Sequence, residues 1–313
     1  MEFFTVSVLN GLIYGLLLFA VSAGLTLIFG MMGVINFAHA SFYMLGAYFA
    51  YSLSYVVGFW GAIVLAPIAV GVLGVLVERF MLRRVHAYGH AHELLLTFGL
   101  SFIFGELMKM FYGDYAVAYN QPAQLHFSAF TVFGASYPFY RLFVGLVSLL
   151  LFITLFIVLR RTRVGLVVRA AVRLPDMVGA LGHNVPLVFM GVFGLGAWMA
   201  GLAGAVGGAL FTTNPNMALE IGVTVFVVVV VGGLGSLEGA LIASLLIGLL
   251  TSFAAGINCS LADVAGLIGL RDQAAAFGSL MTLEVSTFAA AMPVLVMLVV
   301  LLLRPAGLLG NRN

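Results

Sequence analysis

Apolar runs recur along almost the whole chain, and they restrict its fold more than any other feature. Residues 5–29, 41–58, 59–82, 93–112, 139–159, 186–211, 219–232, 239–257 and 284–303 are dominated by Leu, Val, Ile, Phe, Ala and Gly. Most reach the ~20 residues an α-helix needs to cross the hydrocarbon core of a bilayer. Charged residues make up only 8% of the chain, against about 25% in a soluble domain. No soluble surface can be built from so few. The expected fold is therefore all-α: residues 1–313 form a single polytopic transmembrane helical bundle with eight or nine spans, some of them broken or re-entrant. The run 41–82 has Gly58 and Gly61 as its interruptions and reads as a helical hairpin. Residues 219–232 are short for a full span, so a re-entrant or broken helix there is the alternative.

The basic residues orient the bundle. Arg79, Arg83 and Arg84 close one connection, Arg160, Arg161, Arg163, Arg169 and Arg173 crowd another, and Arg304 and Arg312 lie at the C-terminus. All fall on one side of a nine-span path with its N-terminus out and its C-terminus in. Basic loops face the cytoplasm. Lys109, Arg141 and Arg271 fall on or near the other side. Glu2, with no basic residue before Arg79, suits an outward N-terminus and argues against a cleaved signal peptide.

Several chemistries are disfavoured. The net charge of +2 singles out no partner and gives no ground to expect nucleic acid. Cys259 is the one cysteine, so there is no disulfide framework or cysteine metal site. Lys109 is the one lysine, and no Gly-Lys-Ser/Thr occurs, so the chain lacks the P-loop of an ATPase. His86, His90, His92 and Glu93 come closest to a metal-ligand cluster, but they lie in a connecting loop with Gly89, and no metal is expected. An ion-coupled secondary transporter would need ionisable groups in mid-span. Glu106 is the best candidate, and Lys109 at i+3 gives it a plain ion pair instead.

Three connections carry signals. Residues 113–138 read as an outer loop with a short strand, and 258–283, holding Asp263, Arg271, Asp272 and Gln273, as a short surface helix. Either is a docking surface for an external partner or a connector packed over helix ends. In the cytoplasmic loop 160–185, Val167, Val168, Ala171, Val172, Met177, Val178 and Leu181 fall at near-helical spacing and Gly182 stands as a stop. A short amphipathic helix results, suited to a groove on another protein or to anionic lipid.

Between two of the apolar runs lies a polar turn, Gly30 to Ser41, holding Asn36 and His39 and leading into a helix that begins at Ser41. A polar turn at this depth must be buried in protein or line a wet path. Gly33, Asn36, His39 and Ser41 are accordingly candidate pathway residues, with His39 as a helix-end cap the structural alternative. Residues 223–249 echo this pattern in Gly232, Gly233, Gly235, Ser236 and Glu238. Glu238 reads either as a pore group or as an interfacial carboxylate.

The segment Gly33-Val34-Ile35-Asn36-Phe37-Ala38-His39, followed by Tyr43-Met44-Leu45-Gly46-Ala47-Tyr48, closely resembles the signature of bacterial ABC importer permeases of the branched-chain amino acid type, the LivH subunits. The turn 232–236 with Gly239-Ala240 is similar to that family's second signature, and the ending 303–310 to its C-terminus. Gly165, Arg169-Ala170 and Asp176-Met177-Val178 through Gly182 line up with its ATPase-coupling loop. There Asp176, Met177 and Val178 stand in place of Glu-Ala-Ala, Leu166 stands in place of a basic residue, and Arg173-Leu174 replaces a polar or acidic pair. In the first signature Ala40-Ser41 replaces a frequent Gly followed by an acid. The resemblance implies a multi-pass protein of the bacterial inner membrane that is not itself an enzyme. A second, related permease subunit, two cytoplasmic ATPase subunits that bind ATP and Mg, and a periplasmic binding protein would complete it. The implied cargo is a branched-chain or other hydrophobic amino acid, with amides and urea-like solutes as the alternative.

Overall fold

The computed structural model describes residues 1–132, 134–266, 278 and 282–310. Helices α1 (Glu2–Met32), α2 (His39–Val77), α3 (Arg83–His86), α4 (His90–Tyr112), α5 (Phe139–Arg161), α6 (Arg163–Arg173), α7 (Pro175–Ala180), α8 (Val185–Gly207), α9 (Met217–Gly232), α10 (Leu237–Gly256), α11 (Leu261–Gly266) and α12 (Met292–Leu303) make up the bundle. A π-helical turn, Glu78–Leu82, joins α2 to α3, and a 3-10 turn, Val285–Ala291, precedes α12. Strands β1 (Ser128–Val132) and β2 (Ala135–Pro138) form an antiparallel hairpin in the loop after α4. Seven helical stretches among the described residues are long and apolar enough to cross a membrane, and α9 is a shorter apolar helix.

One of those stretches, His39–His86, crosses twice. Gly58 leaves helical geometry at φ 74°, ψ 170°. Gly46 packs on the backbone of Gly201, and Val70 packs on Gly201 as well. In a straight helix residues 46 and 70 would be about 36 Å apart. The chain therefore folds back at Gly58, and the hairpin expected there is present. Tyr51 and Phe59, on the two arms, both meet the ring of Tyr119, with ring centres 6.4 and 6.2 Å away.

Helix α1 is the centre of the bundle. Its most apolar window is 78% buried, against 11–44% for the other crossing helices. It runs antiparallel to α10 and α8 through glycine contacts. A Cβ on Gly15 would lie 2.8 Å from the Ser244 carbonyl oxygen, and one on Gly24 2.6 Å from that of Gly196. Small residues let helix backbones approach where lipid supplies no hydrophobic drive for association. The same device joins α8 to both arms of α2, through Gly46, Gly201, Gly204 and Gly74.

Two expectations need correction. The helix after the first turn begins at His39, two residues before Ser41, because the Asn36 carbonyl already accepts from the His39 N–H at 3.2 Å. The loop 160–185 forms two helices, α6 and α7, instead of one. Leu174 has φ −142°, ψ 64° because Pro175 follows it. Proline disfavours helical geometry in the residue before it and lacks an N–H for continuation. The hairpin β1–β2 supplies the strand expected in 113–138. Helix α11 accounts for part of 258–283, while Arg271, Asp272, Gln273 and, at the C-terminus, Arg312 lie outside the described residues.

The glycine contacts make a direct prediction. Gly204→Val would force a side chain into the Tyr43 carbonyl, whereas Gly105 has nothing within 4 Å. In detergent melting curves, Gly204→Val is expected to lose about 3 kcal/mol or more, as overpacking of a tight contact does. Gly105→Ala should be neutral or gain up to about 1 kcal/mol from helix propensity.

Candidate functional site

The first turn starts where α1 ends. Gly33 at φ 67° closes the helix, its N–H donating to the Phe29 carbonyl at 2.9 Å. That left-handed geometry is ordinary for glycine and strained for other residues. The Asn36 side-chain oxygen then accepts the Ala38 N–H at 3.0 Å, a local turn that delivers the chain into α2. The Phe37 N–H donates to Thr97 Oγ1 at 3.3 Å, tying the turn to α4. His39 Nε2 lies 2.9 Å from the Val21 carbonyl in the middle of α1. A carbonyl only accepts, so Nε2 carries the proton. His39 thus bridges α2 to α1 and caps neither helix. Ser41 Oγ pairs with Ser101 Oγ at 3.0 Å. Asn36, His39 and Ser41 are all buried, and Asn36 Nδ2 and His39 Nδ1 have no hydrogen-bond partner.

The second turn touches the first. A Cβ on Gly30 would lie 3.1 Å from Gly235 Cα. Gly232 and Gly239 are in backbone contact, Gly233 (φ 99°) packs on Gly310, and Gly235 has φ 81°. Ser236 caps α10, its hydroxyl accepting from the Gly239 N–H at 3.1 Å. The C-terminal tail completes the site. The Leu308 N–H donates to Val231 O at 2.8 Å, and the Leu309 N–H to Gly232 O at 3.1 Å, so two carbonyls at the end of α9 are satisfied. Glu238 pairs with Arg160 at the end of α5, and both side chains are about half exposed. This is an interfacial position, where an ion pair is worth about 1 kcal/mol or less.

The loop after α5 turns sharply. A side chain on Gly165 would overlap the carbonyls of Val158 and Leu159, and Thr162 Oγ1 caps α6 by accepting from the Gly165 N–H at 3.2 Å. Arg169 donates to the Leu159 carbonyl. Ala170 accepts the Leu174 N–H at 2.9 Å, Asp176 lies in the first turn of α7, and Gly182 (φ 86°) follows that helix. Val168, Ala171 and Val178 are buried, while Val164, Leu166, Leu174, Met177 and Leu181 are exposed.

At the same basic end, Glu93 is buried between His86 and His90, and Glu78 accepts both a 3.3 Å and a 3.1 Å bond from Arg83. Glu106 and Lys109 form the anticipated i,i+3 pair at 2.7 Å. No group of three His, Cys, Asp or Glu side chains among the described residues is arranged to hold a metal.

At the opposite end a cavity of about 1290 Å³ opens between α1, α9, α10 and the start of α5. Its floor includes Leu17 and Tyr43, and its walls carry Asn10, Arg141, Asn214 and Glu220. None of the nine residues proposed for the pathway lines it. Tyr43, however, lies one helical turn beyond His39, so the first turn leads to the cavity floor. Sequence reasoning missed these walls. The available signal was a set of isolated polar groups, Asn10, Arg141 and Glu220, within or beside apolar spans.

Comparison with known proteins follows from this architecture. The family model described as the branched-chain amino acid transport system permease component matches residues 7–304. The high-affinity branched-chain amino acid transport system permease protein LivH of Salmonella typhimurium is 28% identical, covering 79% of this chain and 84% of that protein. LivH of Escherichia coli K12 gives the same values. The corresponding BraD of Pseudomonas aeruginosa is 27% identical over 96% of this chain and 94% of its own.

The tail contact is testable without knowledge of function. A Cβ on Gly233 would lie 2.7 Å from Gly310 Cα. Gly233→Ala should displace residues 307–310, and mass spectrometry after limited proteolysis should show faster loss of the C-terminus at unchanged helicity.

Proposed function

The chain belongs to the branched-chain amino acid transport system permease-component family, and on that premise we propose that it is the membrane-spanning subunit of an ATP-driven importer in a bacterial inner membrane. The cargo is a branched-chain or other hydrophobic amino acid. A second, related permease subunit completes the pathway, two ATPase subunits bind ATP and Mg at the cytoplasmic face, and a periplasmic binding protein delivers the ligand.

One observation carries this reading: the apolar, exposed face of α6 and α7 at the basic end, in a chain without a P-loop. Val164, Leu166, Leu174, Met177 and Leu181 present a surface that suits insertion into a groove. The same helices sit on rigid supports. Val168 and Ala171 are buried, and Gly165 holds α6 tightly against the end of α5. Closure of the ATPase pair would move α6 and α7 together with α5. Arg160 would pass that movement to Glu238 and hence to the turn that packs on Gly30 and Gly33's helix. The outer cavity and the coupling surface lie at opposite ends of one helix set, as alternating access requires. The exposed Glu106–Lys109 pair gives no buried ion site in favour of a secondary transporter.

The test is purification of the chain with its neighbours from its native source, then reconstitution. An ATPase pair should co-purify, and leucine uptake should require ATP. Transport by the lone chain without ATP would overturn the reading. Gly165→Val, which must open the α5–α6 turn, is expected to lower ATPase co-purification at least about 10-fold, with the chain still inserted. Asp176→Arg, a charge reversal in the first turn of α7, should act in the same direction. Unchanged ATPase capture by both variants would remove the coupling role from this loop.

A further inference from the structure

The outer cavity carries polar groups that helix packing does not explain. Tyr43 is 1% exposed and lines the floor, yet its hydroxyl has no hydrogen-bond partner among the described residues. Thr251 Oγ1, on the cavity's α10 wall, is also buried without a partner. A threonine within a helix commonly bonds back to its own backbone, and this one does not. Buried polar groups are ordinarily satisfied. An orphaned buried hydroxyl on the wall and the Tyr43 hydroxyl at the floor of one cavity indicate that something polar belongs there.

Charges of both signs surround the same space. Arg141 is held by Asn10, whose side-chain oxygen also accepts the Tyr137 hydroxyl at 2.9 Å, and its guanidinium carbon lies 6.0 Å from the Tyr137 ring centre. A guanidinium has five N–H donors in a planar fork suited to a carboxylate. Asn10 engages it through one nitrogen, and no carboxylate among the described residues pairs with it. Glu220 stands on the first turn of α9, likewise without an ion-pair partner among the described residues. Two residues further on, a Cβ on Gly222 would lie 3.1 Å from the Ala40 methyl carbon, which places this stretch of α9 beside the α2 segment that carries Tyr43. A second carboxylate, Glu2, and the N-terminal ammonium of Met1 also line the cavity. Leu17, Met217 and Ile221 supply apolar wall between the charges.

We propose that this cavity is a selection site for a small apolar zwitterion, with Arg141 as partner of its α-carboxylate, Glu220 as partner of its α-ammonium, and the Tyr43 hydroxyl at the floor. The proposal rests on the importer reading and deepens it, since it places discrimination within the permease as well as in the protein that delivers the ligand. The Glu220 carboxylate disfavours an anion and the Arg141 guanidinium disfavours a cation, in a lining where the Met1 ammonium offsets Glu2. A ligand with both charges satisfies each.

The test uses the full chain in nanodiscs and three probes: leucine, leucinamide without the carboxylate, and 4-methylpentanoate without the ammonium. Wild type should bind radiolabelled leucine saturably and each analogue at least about 10-fold more weakly, the usual loss when a charged hydrogen-bond partner is removed. Arg141→Gln should weaken leucine at least about 10-fold and leave leucinamide within about 3-fold, with partial recovery in Arg141→Lys. Glu220→Gln should weaken leucine similarly and leave 4-methylpentanoate within about 3-fold. Tyr43→Phe, which preserves the ring, should weaken leucine by about 2- to 10-fold. Variants are compared only as monodisperse preparations, and the ratio between probes distinguishes recognition from general damage. Absence of saturable leucine binding, or equal losses for leucine and the matched analogue, overturns the site. Leucine uptake by the assembled importer is measured in parallel. ATP-driven uptake alongside negative binding results removes this site and leaves the importer reading. Absence of ATP-driven amino acid uptake removes the importer reading itself.

Discussion

Close backbone approach between helices, made possible by glycine, is the constraint on which the rest of this bundle depends. Lipid is as apolar as leucine, so the side chains that fill this chain give little preference for one helix partner over another. Preference comes from surfaces that fit. Gly11 and Gly15 meet Gly248 and Ser244 across α1 and α10, Gly24 meets Gly196 across α1 and α8, and Gly46 and Gly204 lock α2 to α8. Each contact brings backbone against backbone, where one added methyl group has no room. These contacts also fix the height at which each helix sits, and that height brings the two polar turns together at Gly30 and Gly235.

The turns themselves show how buried polarity is accommodated. His39 reaches Val21 across a helix interface, Ser41 reaches Ser101, and the tail after α12 supplies N–H groups to the last carbonyls of α9. Each bond links segments distant in sequence. A polar group that would be expensive in lipid thus becomes a cross-tie between elements. Asn36 Nδ2 and His39 Nδ1 are the exceptions, left without partners next to the helix that leads to the cavity floor.

Much of this architecture was legible in the sequence, for reasons that differ by element. The hairpin at Gly58 was legible because an apolar run twice the length of a span needs a break, and glycine alone takes φ 74° without strain. The Glu106–Lys109 pair followed from helical spacing. The division of α6 from α7 was readable in Pro175 but was overridden by the apolar spacing on either side. The partner of His39 was not readable, because nothing local marks a carbonyl 18 residues earlier as its acceptor. The cavity walls were hidden for a similar reason. Asn10, Arg141 and Glu220 come from three helices, and only the packing of α1 against α5 and α9 assembles them.

The central position of α1 bears on how the protein is made. This helix precedes in the chain the helices α8 and α10 that its glycine-lined faces fit, which begin at residues 185 and 237. Until those two are made, α1 is held only by its other neighbours, among them α2 through His39 and Val21. Being apolar on all sides, it loses little by contacting lipid in the meantime, and its glycine grooves stay open for later helices. Residues 307–310, which follow all of these helices in the chain, close the end of α9. The second turn is therefore locked only after the helices it joins are in place, by a segment that belongs to none of them.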